Sequence, residues 1–218
     1  MQSYIDKSAD YFAHARKEIA PLLPPQCGRV LEIGCGSGAT LGWLCRDQRA
    51  TCTVGVEISE AAAQSARAHA DEVYCLDFER VELPVANSRF NVILCLDVLE
   101  HMVNPWLVVD RLVSQHLLPG GTLIVSLPNV RHYSVVLPLL FQGQWDYQDA
   151  GLLDRTHLRF FTRDTAIRLL SHPRLEPVRC VGGGFDWPSR KGIFNTLTAG
   201  VFREFLTYQY LLAVRKKD

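Results

Sequence analysis

Residues 31–38 read Leu31-Glu32-Ile33-Gly34-Cys35-Gly36-Ser37-Gly38, and the fold turns on how this stretch is read. The run Arg29-Val30-Leu31-Glu32-Ile33 predicts a strand, the glycines a tight turn, and Ala39 to Arg46 has the spacing of a helix. Gly34 and Gly36 let the backbone turn sharply and approach a ligand closely, and Gly38 relieves crowding where the helix starts. Strand, turn and helix open a βα unit, and small ligands of open parallel sheets sit beyond the strand ends at such turns. Gly34-x-Gly36-x-x-Ala39 also fits a dinucleotide fingerprint, and many glycine turns only close a strand onto a helix.

The alternation continues outward. Thr51 to Val56 reads as a strand, Ser59 to Ala70 as a helix capped by Ser59, Glu72 to Cys75 as a short strand, and Phe90 to Leu96 as a strand buried on both faces. Pro105 to Leu117 has helical period, and Pro119-Gly120-Gly121 predicts a turn before a fifth strand, Thr122 to Ser126. Strands separated by helices predict an α/β fold with a mostly parallel sheet and helices on both faces. Before it, the spacing of Tyr11, Phe12, Ala15, Ile19 and Leu22 predicts a leader helix within 1–25, ended by prolines. After it, 128–162 reads as a long inserted segment rich in Trp, Tyr, His and Arg, functional rather than disordered, with one helix near Tyr133 to Phe141. Thr162 to Leu170 is expected as a helix, Glu176 to Val181 as a strand, Leu206 to Val214 as a final β-rich run, and the apolar stretch Ile193 to Leu212 as packed on the sheet.

A chain of 218 residues with 48% hydrophobic content suits one domain spanning 1–218. Its 23 Lys+Arg and 23 Asp+Glu balance, so the basic excess of a nucleic-acid binder is missing. Seven cysteines without a C-x-x-C pair read as buried thiols, and no apolar run approaches a membrane span, so a cytoplasmic protein is expected.

Charge narrows the ligand. Glu32 stands two residues before the first glycine, where it would repel a pyrophosphate, so the ligand end there is expected to be cationic, as an amino-acid ammonium is. Glu57 ends the second strand, where a carboxylate accepts two hydrogen bonds from ribose hydroxyls. Asp77 follows the third strand, placed to accept from an adenine amine, with Phe78 beside it to pack on the ring. Singly they read as a cap, a solvated acid and a turn residue; in register they read as a nucleoside and amino-acid pocket.

These residues, with Asp97-Val98-Leu99-Glu100-His101, resemble the class I methyltransferases that use S-adenosylmethionine (SAM), which implies a Rossmann-like seven-stranded sheet whose last strand, Tyr208 to Val214, is antiparallel. The resemblance implies SAM contacts from Glu32, Gly34, Cys35, Gly36, Glu57, Ile58, Asp77 and Phe78, with Leu96 and Asp97 beneath the methionine and ribose, and S-adenosylhomocysteine as product. Tyr11 and Arg16 look like the lid of several relatives, Arg16 reaching the methionine carboxylate. The absence of an Asn-Pro-Pro-Tyr motif argues against adenine and glutamine as acceptors.

The segments Pro128 to Tyr133 and Leu153 to Thr162 resemble bacterial methyltransferases of surface-polysaccharide synthesis. That implies a small-molecule, sugar or lipid-linked acceptor, methylated at a hydroxyl. A hydroxyl must lose its proton, and His132, His157 and His101 are the candidate bases, the first two favoured because they lie in the inserted segment. No histidines and carboxylates stand at ligand spacing around the fourth strand, so no metal is expected. The rival readings are an NAD-dependent oxidoreductase, which leaves Glu32 and Asp77 unexplained, and a non-catalytic SAM-binding partner subunit, which leaves the histidines without use.

Overall fold

The computed structural model describes residues 14–84, 89–176, 178–183 and 189–218. Strands β1 (Gly28–Ile33), β2 (Ala50–Glu57), β3 (Glu72–Cys75), β4 (Phe90–Leu96), β5 (Leu117–Pro128), β6 (Arg179–Gly183) and β7 (Gln209–Arg215) form one sheet in the order β3-β2-β1-β4-β5-β7-β6. The first five run parallel, and β7 is antiparallel to both β5 and β6. From β1 the chain builds outward to β3, then returns to β4 on the other side. The β1/β4 junction is therefore the switch point at which such sheets hold ligands.

Side-chain alternation explains the two-sided core. Leu31, Ile33, Ile93 and Cys95 face one apolar cluster with Val108, Leu112 and Leu169, while Val30, Val92, Leu94 and Leu96 face another with Leu41, Leu44 and Ile19. A third cluster of Val135, Leu152 and Leu153, with Trp145 and Phe160 against it, organises the segment after β5. Trp145 there packs edge-on to Phe160, with ring centroids 5.3 Å apart.

Several boundaries differ from the sequence expectation. The leader region, seen from residue 14, is a 3-10 helix over Lys17–Leu22 with Pro21 inside it; Tyr11 and Phe12 lie outside the described residues. The helix capped by Ser59 ends at Ala66, because the Asp71 carboxylate accepts from the Thr53 N–H at 2.7 Å and pins the chain for β3. The helix starting at Pro105 is α-helical to Arg111 and then widens into a π-turn over Leu112–His116. The Pro119-Gly120-Gly121 turn lies inside β5 as a break in register between the Phe90↔Leu117 and Val92↔Thr122 pairs. The strand expected over Glu176 to Val181 runs instead over Arg179–Gly183, paired with β7. Arg203–Leu206 is helical, so the last strand starts at Gln209. The helix Arg190–Leu197 exposes Ile193, Phe194 and Leu197 rather than laying them on the sheet.

Glycine is required at two places in the opening turn. Gly34 has φ +71°, and a Cβ there would sit 2.8 Å from Val98 Cγ2; Gly38 has φ +77° and faces the Ala66 backbone. Left-handed backbone costs a non-glycine residue about 1–2 kcal/mol, and the contact with Val98 adds to it. Gly34→Ala is expected to lower the melting temperature by about 3–8 °C, given about 2–4 °C per kcal/mol at this chain length. Thermal circular dichroism checks this, and a melt within about 1 °C of wild type would remove the strain argument.

Candidate functional site

A cleft of about 220 Å³ opens beyond the ends of β1, β2, β3 and β4. Gly34, Glu57, Ile58, Asp77 and Phe78 line it, as the sequence predicts, together with Glu79, Val98, His101, Met102, Val103, Arg155, Thr156 and Leu158. Glu57 is 1% exposed. Its carboxylate accepts from the N–H groups of Gly36 at 2.9 Å, Ile58 at 2.9 Å and Ser59 at 3.0 Å, tying the glycine turn to the end of β2. Burial raises its pKa above the ordinary carboxylate value despite those bonds. Asp77 accepts from the Glu79 N–H at 3.0 Å. Phe78 is held beneath the Arg111 guanidinium, 4.2 Å from its ring centre.

Glu32, Cys35, Gly36, Leu96 and Asp97 stand outside the cleft lining. Glu32 is 3% exposed, and its Oε2 has no hydrogen-bond partner. Burial pushes its carboxyl up to about 8, against the pull of the Arg16 charge and a hydrogen bond from Thr40. Cys35 turns its thiol into the core toward Gly55, so only its backbone can meet a ligand, and its N–H is already given to the Val56 carbonyl. Leu96 is core, packed with Leu94 and Leu41.

Asp97 has φ +54°, a left-handed conformation that a non-glycine residue holds only where its surroundings fix it. Ser126 supplies that fixing by donating its hydroxyl at 2.8 Å, and Gln209 and Arg16 also bond the carboxylate. Arg16 thus brings the leader region to Asp97 and Glu32. Ser126 was missed because its part depends on β5 pairing beside β4, and Gln209 because its part depends on β7 returning beside β5, which no local pattern shows.

The three histidines separate. His132 caps the helix Tyr133–Gln142 through Nδ1, is 3% exposed and does not line the cleft. Burial and the nearby Lys191 lower it to about 4. His157 is buried, with Nδ1 3.2 Å from the Leu152 carbonyl. Of the three candidate bases, among the described residues His101 is the one that lines the cleft. The expectation of no clustered histidines and carboxylates near β4 is corrected. Glu100, His101 and His157 each offer a ligand atom, all within 4.8 Å of one another. Sequence spacing hid this, because the N–H groups of Leu158 and Arg159 donate to the Glu100 carbonyl and fold a distant loop onto the motif.

Fold and site together define a Rossmann-like protein with acids at successive strand ends around a nucleoside-sized cleft. A family model described as a methyltransferase domain matches residues 4–173. The ubiquinone biosynthesis O-methyltransferase of Azoarcus sp. is 30% identical over 176 residues, covering 71% of this chain and 73% of the relative. That of Alkalilimnicola ehrlichii is 32% identical over 191 residues, covering 69% and 75%.

Among solved structures, a SAM-dependent methyltransferase from Archaeoglobus fulgidus superposes with a TM-score of 0.69 at 16% identity, covering 99% of this chain and 97% of that one. A plantazolicin methyltransferase solved with S-adenosylhomocysteine gives 0.60 at 18%, covering 100% and 84%. The chain belongs to the methyltransferase-domain family and is a SAM-dependent methyltransferase, not an oxidoreductase. Among the described residues no helix is long and apolar enough to cross a membrane.

Proposed function

We propose that this enzyme methylates a hydroxyl oxygen on a small aromatic acceptor, with SAM held by Glu32, Glu57 and Asp77. The observation that carries the reading is the buried, unpartnered Oε2 of Glu32, a carboxylate oxygen that lacks only the ammonium a methionine moiety brings. Bound SAM supplies a methyl group on a sulfonium, open to in-line attack. Glu57 keeps acceptor capacity for the ribose hydroxyls beside its three backbone donors, and Asp77 accepts from the adenine amine. Gly34 and Gly36 bring the backbone close, Ile58 and Phe78 flank the base, and Arg16 with Asp97 closes over the methionine end. The acceptor hydroxyl is placed on the His101 side of the cleft, where alignment and exclusion of water supply much of the rate.

The wall beside His101 is built of Met102, Val103 and Leu158, which suits a flat apolar ring better than a sugar. The relatives carry O-methyltransferase in their names and are placed by those names in ubiquinone biosynthesis, which supports oxygen as the methylated atom. They lend nothing to the glycan-type or lipid-linked acceptor expected from the segment after β5. Incubation with methyl-labelled SAM and matched panels of phenols, sugars and amines is expected to label phenols as ethers. Labelling of sugars or amines alone would overturn the acceptor class, and failure to bind S-adenosylhomocysteine would overturn the pocket assignment.

A further inference from the structure

A second cavity, of about 380 Å³, is lined from the start of the helix Arg163–Leu169, from β6, from β7 and from the helix Arg203–Leu206. It shares no residue with the cleft described above and is the larger of the two. Tyr210 forms its sheet side, paired with Leu127 of β5 and Gly182 of β6 and 3% exposed. Among the described residues the Tyr210 hydroxyl has no hydrogen-bond partner. A hydroxyl buried in this way is costly to keep, because the unfolded chain gives it to water. Burial pushes it up to about 12, so it holds its proton and is a donor.

The charges around that donor are mostly positive. Burial pushes the Cys180 thiol up, and the Arg163 charge, followed by that of Arg203, pulls it down, so both guanidiniums lie near the thiol. Arg163 and Arg131 act on the Tyr210 hydroxyl in the same sense. The acid in the lining, Glu204, is already bonded by Arg131. Asp164 stands 3.7 Å from Arg163 but is exposed, and water screens such a pair. The lining thus presents two guanidiniums and a hydroxyl donor, with its one carboxylate offset from outside.

We propose that this cavity binds the phosphate end of a small phosphate monoester, held by Arg163, Arg203 and Tyr210. Donors that come from three elements suit a tetrahedral anion with three free oxygens, whereas one guanidinium fork satisfies a planar carboxylate. The volume leaves room for the organic part of the ester beside the phosphate. Val201 and Arg203 are exposed at the rim, so the site opens to solvent. Binding of this anion is independent of the acceptor reading above.

The full chain is titrated calorimetrically with glycerol 3-phosphate, inorganic phosphate and acetate at one ionic strength, and S-adenosylhomocysteine binding by the same samples is read separately. One ester per chain is expected, bound at least as tightly as inorganic phosphate, with acetate weaker by about tenfold or more. Arg203→Gln and Tyr210→Phe should each weaken the ester by about tenfold or more, the scale of one hydrogen bond to a charged group. Tyr210→Phe also deletes the unpartnered hydroxyl, so without ligand it should melt at or above wild type, which separates a lost donor from a lost fold. Arg203 is exposed, and its variant keeps the test open if Tyr210→Phe fails to fold.

Wild-type protein that binds no ester would overturn the site, as would a folded Tyr210→Phe or Arg203→Gln variant with wild-type affinity. Acetate bound as tightly as the ester would overturn the ligand class, and binding of inorganic phosphate alone would overturn the ester. Stabilisation by phosphate that is equal in wild type and both variants is the general effect of an excluded salt and counts against the site. Ester binding without nucleoside binding would leave this cavity standing and overturn the SAM pocket assignment alone.

Discussion

Glu57→Gln is expected to weaken binding of S-adenosylhomocysteine by about 100-fold or more. In the proposed pocket the carboxylate accepts from two ribose hydroxyls, and hydrogen bonds to a charged group contribute about 1.5–3 kcal/mol each. Losing two at the lower end is about 3 kcal/mol, close to a hundredfold in affinity. A second effect acts in the same direction. The Glu57 oxygens also accept from the Gly36, Ile58 and Ser59 N–H groups, so an amide NH2 in place of one oxygen faces donors and loosens the glycine turn. Asp77→Asn offers a graded comparison, because in the proposed pocket it gives the ligand a single hydrogen bond, to the adenine amine, and its loss should cost about tenfold. Calorimetric titration measures both. Wild-type affinity in the Glu57 variant would remove the ribose assignment, whatever happened at Asp77.

The parts of the site that local sequence displays were legible in it. Glu57, Ile58, Asp77 and Phe78 follow the ends of the second and third strands directly, so finding the strands found the residues, and all four line the cleft. The parallel sheet was legible for the same reason, since each run of the β1 to β5 alternation carries its own apolar pattern. What depends on distant returns of the chain was not. His157 meets Glu100 only because the loop over 156–159 hydrogen-bonds back to the motif after β4. Gln209 meets Asp97 only because β7 runs antiparallel beside β5. His132 looked like a base by composition and place, yet its Nδ1 is used to cap a helix, a role set by the Ser134 N–H at 3.3 Å rather than by any acceptor. One element end moved where a side chain from elsewhere fixes the chain, as Asp71 does before β3.

Glu32→Gln is expected to move stability and binding in opposite directions, which separates a ligand-binding carboxylate from a structural one. The Glu32 carboxyl is raised by burial to about 8 from an ordinary value of 4.5. Below pH 4.5 both folded and unfolded chains hold the proton, and the group costs nothing by ionisation. Between 4.5 and about 8 the unfolded chain releases its proton while the folded chain keeps it, so native stability falls by about 1.4 kcal/mol per pH unit, reaching several kcal/mol before it levels off. A glutamine does not titrate, so the ligand-free variant should melt above wild type at pH 8, with the gap shrinking toward pH 5.

Binding runs the other way. A methionine ammonium needs the carboxylate as its buried partner, and leaving a buried charge unpaired costs about 3–5 kcal/mol, so the variant should lose at least about 100-fold in affinity for S-adenosylhomocysteine. In wild type the carboxyl must also release its proton to meet the ammonium, so affinity should rise between pH 6 and 8, and this rise should be absent from the variant. Melting curves and calorimetry at pH 5, 6, 7 and 8 measure all three effects. A variant that melts lower than wild type at pH 8 and still binds the nucleoside normally would make Glu32 a structural acid and return the unpartnered oxygen to the core.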